Sequence, residues 1–170
     1  LGNAHGCALR DGSVYCWGAN DIGQLGFTST LGDKYSAIPV VVNGLPQIKA
    51  VVAGSEHNCA LGGDQSVWCW GSGYGASPVR IDAFTFATPI VLSSGNNHDC
   101  ALLDGGSIYC WGTNSDGQLG DGTKDPILIP VRVKLPESSV AVGLSAGLNH
   151  SCATTKSGKV FCWGANDLGQ

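Results

Sequence analysis

Apolar residues along this chain fall in short runs, many of them β-branched, broken by turns rich in glycine and aspartate. The stretch from 38 to 71 shows the plan. IPVVV at 38–42 and IKAVVAG at 48–54 are apolar runs of strand length. HNCAL at 57–61 and SVWCWG at 66–71 then face each other across a glycine-rich turn. The same order returns as IPVRV at 129–133, VAVGLSAG at 140–147, HSCAT at 150–154 and KVFCWG at 159–164. A sustained 3.6-residue periodicity is missing, so the pattern predicts an almost purely β protein whose unit is four short strands.

The hairpin of this unit occurs four times, at 5–18, 57–71, 98–112 and 150–164. In HGCALRDGSVYCWG the two cysteines are equidistant from Asp11-Gly12, the strongest short hairpin signal. Cys7 therefore faces Cys16, Ala8 faces Tyr15, and Leu9 faces Val14. The third and fourth copies have one more turn residue, with Gly106 and Gly158 placed for a left-handed conformation. Two-residue alternation puts Cys7, Leu9, Val14 and Cys16 on one face and Ala8, Tyr15 and Trp17 on the other. Both faces are apolar, as in a sheet packed between two neighbours.

The second cysteines, Cys16, Cys69, Cys110 and Cys162, are spaced by 53, 41 and 52 residues. Such a period with several strands per unit suits a propeller blade. The short step comes from a deletion: WGANDIGQLG and WGTNSDGQLG are answered in the second copy by WGSGYGASP. Segments 19–37, 72–78 and 113–129 are read as loops connecting blades.

Composition sharpens this picture. The 170 residues include 26 glycines, and 11 of the 13 acids are aspartate, which serves turns better than helices. A formal charge of −4 supplies no electrostatic footprint for nucleic acid or an anionic membrane. No apolar run reaches the roughly 20 residues of a spanning helix. The chain lacks Met and begins inside the repeat at Leu1, as an excerpt of a longer or processed polypeptide would.

Eight cysteines are the first candidate chemistry. Pairing Cys7 with Cys16, Cys59 with Cys69, Cys100 with Cys110 and Cys152 with Cys162 closes short loops worth about 2.5–3 kcal/mol each before strain. Opposite strand positions hold Cβ atoms roughly 4.5–5.5 Å apart, wider than a disulfide prefers, so local twist is expected to help. A zinc reading of His5, Cys7 and Cys16 lacks the tight Cys-x-x-Cys knuckles of structural sites. Buried free thiols are the third reading.

His5, His57, His98 and His150 each precede a first cysteine by two positions. No copy is distinguished by a nucleophile or carboxylate, so each imidazole is expected to bond main chain at a strand entry rather than catalyse. Trp17, Trp70, Trp111 and Trp163, with Tyr15, Trp68, Tyr109 and Phe161, could stack on bases or sugars, but their recurrence reads first as blade packing. NSDGQLGDG at 114–122 has a calcium-loop flavour without the ligand pattern of an EF-hand. Asn149-His150-Ser151 fits a glycosylation sequon yet enters a strand read as buried. Catalytic, cofactor and metal sites are therefore expected to be absent.

Gly-x-x-His, Ala-Leu, Gly-x-Val-Tyr, Trp-Gly-x-Asn and Gly-Gln-Leu-Gly follow one another from Gly2 to Gly26, and WGANDLGQ at the end nearly repeats WGANDIGQ at 17–24. In these features the whole chain resembles the regulator of chromosome condensation repeat family. The resemblance implies a seven-bladed β-propeller, of which about three to three and a half blades are present; a ring at about 50 residues per blade needs on the order of 350 residues. An open arc would expose its end faces to self-association or another chain. The cysteines are not implied by the family and look like an adaptation to an oxidising environment.

The expected function is protein recognition by a secreted or cell-surface scaffold, with a periplasmic setting also compatible. The partner is another protein, met through loops that differ between copies: 27–37, 73–78 and 121–129. Inhibition of an enzyme would be one form of it. Guanine-nucleotide exchange on a small GTPase is the alternative the resemblance implies, although no inserted wedge is identifiable.

Overall fold

A computed structural model describes residues 1–28, 34–84 and 86–170. Part of the predicted variable segment 27–37, residues 29–33, lies outside them. The described residues form fourteen strands and no helix, in two compact units, Leu1–Asp82 and Ala83–Gln170.

The first unit holds two antiparallel sheets. One orders β1 (His5–Arg10), β2 (Ser13–Ala19) and β3 (Tyr35–Val41); the other orders β4 (Ile48–Ala53), β5 (His57–Gly62), β6 (Val67–Gly71) and β7 (Gly75–Arg80). In the second unit, β8 (Pro89–Ser94), β9 (His98–Leu103), β10 (Ile108–Gly112) and β11 (Ile127–Arg132) form one sheet. The other comprises β12 (Ala141–Ala146), β13 (His150–Thr155) and β14 (Val160–Gly164). At four strands per blade, fourteen strands amount to three and a half blades.

Sheet pairing shifts the phase of the predicted unit. The IPVVV strand does not open the sheet of the hairpin that follows it; β3 pairs with β2, and β11 likewise pairs with β10. Segments 19–37, 72–78 and 113–129 consequently join strands of one sheet rather than separate blades. Adjacency in the chain cannot decide this, because β3 has a hairpin on either side in sequence.

The hairpin register is the expected one. Cys7 faces Cys16, Cys59 faces Cys69, Cys100 faces Cys110 and Cys152 faces Cys162. Asp11 and Gly12 both take positive φ, 50° and 77°, as a tight hairpin turn with the strands' own twist requires. Gly106 and Gly158 are left-handed as predicted, at 78° and 79°. In the second hairpin that place falls on Gln65, φ 73°, and not on one of its glycines.

Each pair of neighbouring sheets within a unit interleaves unlike faces. In the first unit Val14 and Cys16 pack with Leu25 against Ala60 and Trp70 of the next sheet. In the second, Cys100, Leu102, Ile108 and Cys110 pack with Leu119 against Ala153 and Trp163. The disulfide face of one sheet thus meets the tryptophan face of its neighbour. That arrangement answers the two-faced apolar pattern of the hairpins.

Candidate functional site: a latched frame and an exposed loop

All eight cysteines are paired within their own hairpins. Each pair has its Cα atoms 4.1 Å apart. The pairs three residues out from the cysteines, such as Ala4 with Ala19 and Asn97 with Thr113, are joined by main-chain hydrogen bonds. Hydrogen-bonded and open pairs alternate, and three steps inward is an open pair, where Cα atoms lie closest. The expectation from sequence did not distinguish the two kinds of pair, of which the open one is the closer. With both sulfurs bonded and His5 turned elsewhere, the zinc reading fails.

Two of the histidines, His5 and His98, bond side chains rather than the expected main chain from the ring. His5 Nε2 lies 2.9 Å from Asn58 Oδ1, and His98 Nε2 lies 2.8 Å from Ser151 Oγ. Each acceptor is the residue after the histidine of the next sheet. Asn58 Nδ2 donates in turn to the Gln24 carbonyl at 2.8 Å, so its Oδ1 is free to accept and His5 is the neutral Nε2–H tautomer. Burial lowers the His5 pKa, against the opposing pull of the Asn58 bond. Its buried Nδ1 makes no hydrogen bond. The main chain at each entry is closed differently: the amides of Gly2, Gly54, Gly95 and Gly147 donate to the carbonyls of the four histidines. A side chain at Gly2, Gly95 or Gly147 would strike the imidazole.

Gly-Gln-Leu-Gly completes the latch. The Gln24 side chain accepts the Ile22 N–H, while Asn20 Oδ1 accepts the Leu25 N–H. The loop so formed presents its Gln24 carbonyl to Trp70 Nε1 at 3.1 Å, in the next sheet. The second unit repeats the device: Asn114 takes the Leu119 N–H, Gln118 takes that of Asp116, and Trp163 Nε1 donates to the Gln118 carbonyl at 2.9 Å. Trp70 and Trp111 are fully buried, which leaves them no face for a base or sugar. Repeated polar residues therefore bind the frame to itself.

What they leave outside is the segment 121–129, whose residues from Gly122 to Pro126 are all exposed. It is held in one shape. Asn114 Nδ2 donates to Asp121 Oδ1, Thr123 Oγ1 and the carbonyls of Thr123 and Asp125, at 3.1–3.2 Å. Asp121 accepts the Thr123 N–H at 3.0 Å and its hydroxyl at 2.8 Å. Partial desolvation opposes ionisation of Asp121, but these bonds outweigh it and lower its pKa. The Asp121 carboxylate is thus used in holding the turn. Beyond the turn Leu128 and Ile129 stand 69% and 71% exposed on the outermost strand. Alongside, an open cavity of about 540 Å³ is lined by Arg132, Lys134, Pro136 and Ser138.

In the second unit, then, the surface combines ordered polar groups, exposed aliphatic side chains and two cations. In the 72–78 segment the Gly-Gln-Leu-Gly core is replaced, and Tyr74 packs its ring 5.9 Å from that of His57.

Antiparallel sheets of three or four strands with interleaved faces make this a β-propeller of repeated blades. The chain belongs to the regulator of chromosome condensation (RCC1) repeat family, whose pattern matches residues 11–61 and 105–154. A second pattern of the same repeat matches 48–75, 91–118 and 141–170. The chain is 31% identical to the Arabidopsis thaliana ultraviolet-B receptor UVR8 over 99% of its own length and 41% of the receptor's. Human WBSCR16 shares the fold with a TM-score of 0.84 at 21% identity, over 96% of this chain and 45% of that one. Yeast RCC1 (Prp20), in its complex with Kap60, gives 0.82 at 22%, over 97% and 42%. The chain spans less than half the length of these relatives.

Proposed function

We propose that this chain is a non-enzymatic recognition scaffold working in an oxidising compartment, secreted or at a cell surface, and that it binds another protein through the segment 121–129. The observation that carries the proposal is a division of labour. The residues shared by the repeats are consumed in latches, while the segment peculiar to the third copy is both preorganised and exposed. Preorganisation matters because a loop already held in shape gives up little entropy on binding. Leu128 and Ile129 supply apolar area, with Lys124, Lys134 and Arg132 as a charged rim suited to an acidic margin on the partner.

Support for the compartment comes from four disulfides, which persist where thiols are not kept reduced. Yeast RCC1 in complex with Kap60 is a protein-binding example of the same fold. Inhibition of an enzyme is one concrete form of such recognition. The exchange alternative gains no residue here that favours it.

A photo-crosslinking amino acid at Thr123 or Leu128, compared with one at the hairpin tip Ser157, tests the reading. A single protein partner captured from the first two positions and lost in Leu128→Asp/Ile129→Asp is expected. Equal capture from Ser157, or capture unaffected by the double substitution, would overturn it.

A further inference from the structure

Asn149 opens the tripeptide Asn149-His150-Ser151, the Asn-x-Ser pattern read by oligosaccharyl transfer enzymes. The structure separates Asn149 from the buried strand it was expected to enter. β13 begins at His150, and Asn149 stands one residue earlier, in the turn after β12. Its main chain is pinned, because its carbonyl accepts the Ala165 N–H at 2.8 Å. Its side chain is half-exposed, and Leu148 beside it is 70% exposed.

The equivalent position in the other repeats faces outward too. Ala4, Glu56 and Asn97 each precede the histidine and are all exposed. A place that holds Ala, Glu or Asn in turn makes no side-chain demand on the sheet, so a substituent on Asn149 Nδ2 projects into solvent. The asparagines of the latch differ: Asn20, Asn58 and Asn114 are buried and spend their amides on carbonyl oxygens. None of these three begins an Asn-x-Ser/Thr tripeptide.

We propose that Asn149 is an N-glycosylation site, with a lipid-linked oligosaccharide pyrophosphate as donor. Nδ2 forms a bond to sugar C1 and loses one proton, while the bond from C1 to the phosphate oxygen breaks and the lipid pyrophosphate leaves with the electron pair. The order of events follows from Ser151. Its hydroxyl, needed for recognition, is fully buried in the finished sheet, between His98 Nε2 and the Gln118 carbonyl. Transfer therefore precedes closure of the hairpin 150–164, and competes with formation of the Cys152–Cys162 bond that starts one residue beyond the tripeptide. The inference shares the compartment of the proposed function and is independent of its partner.

Translation of the full chain behind a cleavable signal sequence, with endoplasmic-reticulum microsomes, tests it. One glycosylated species is expected, removed by endoglycosidase, absent in Asn149→Gln and kept in Ser151→Thr. Dithiothreitol during translation should raise its share by holding the hairpin open. A translocated chain, protected from added protease and carrying its four disulfides, that stays unglycosylated would overturn the proposal, as would a glycan surviving Asn149→Gln. Protein partner capture is measured separately, so the two readings fail separately.

Discussion

Asn58 Nδ2 donates to the main-chain carbonyl of Gln24, 34 positions earlier, at 2.8 Å, while its Oδ1 receives His5. One fully buried amide thereby joins two sheets and the loop between strands of the first. In the second unit Ser151 does the same work with His98 and Gln118.

Removing that amide leaves His5 Nε2 without its buried partner, while the Gln24 carbonyl keeps the Trp70 indole N–H. Asn58→Ala is expected to cost about 1–3 kcal/mol for the one buried donor left unsatisfied. Asn58→Ser should cost less, since a hydroxyl fills the role at position 151. Urea midpoints of the two variants decide it; equal losses would show that packing, and not the latch, sets the cost.

The same latch carries a pH dependence. His5 titrates lower in the folded chain than the 6.5 of a free side chain, chiefly through burial. Protonation adds a proton to Nδ1, which has no acceptor. The unfolded chain thus binds more protons, and stability rises with pH. The stabilisation is complete above about 6.5 and falls as pH drops from there toward the folded pKa. Melting temperatures between pH 7.5 and 5 should decline, and His5→Gln should flatten the decline.

Gly71 provides a backbone test. It sits at φ 95°, and an added Cβ would lie 2.6 Å from the Glu56 carbonyl oxygen. Gly71→Ala pays about 1–2 kcal/mol for left-handed backbone alone, plus the clash. Gly105, with nothing within 4 Å, is the control; Gly105→Ala should change stability little. Thermal unfolding of both separates conformational strain from the loss of a glycine as such.

How much of this was legible depends on distance along the chain. Hairpin pairing follows from the symmetry of Cys7 and Cys16 about Asp11-Gly12, a local matter that the spacing states outright. The histidine partners do not follow, because the residue after the histidine changes from Gly6 to Asn58, Asp99 and Ser151, and nothing local in the repeat says that this position meets the histidine of a neighbouring sheet. The side of β3 was equally hidden: strand propensity says that IPVVV is extended, not which hairpin supplies its neighbour. Nor does a calcium-like spelling at 114–122 reveal that Asn114 and Thr123 donate to the Asp121 oxygens.

Access ranks the disulfides. Cys59, Cys69, Cys100 and Cys110 are fully buried, whereas Cys162 is exposed and Cys152 half-buried. Exchange requires an attacking thiolate to reach a sulfur. Partial reduction followed by alkylation should therefore label Cys152 and Cys162 first and the central four last. Removing a central pair by Cys59→Ala/Cys69→Ala is expected to cost about 2.5–3 kcal/mol.

A disulfide-stapled frame in an oxidising compartment is the claim on which the rest stands, and non-reducing peptide mapping of the protein from its natural source tests it most directly. Four linked pairs are predicted: Cys7 with Cys16, Cys59 with Cys69, Cys100 with Cys110, and Cys152 with Cys162. Eight free thiols, or links between different hairpins, would contradict it.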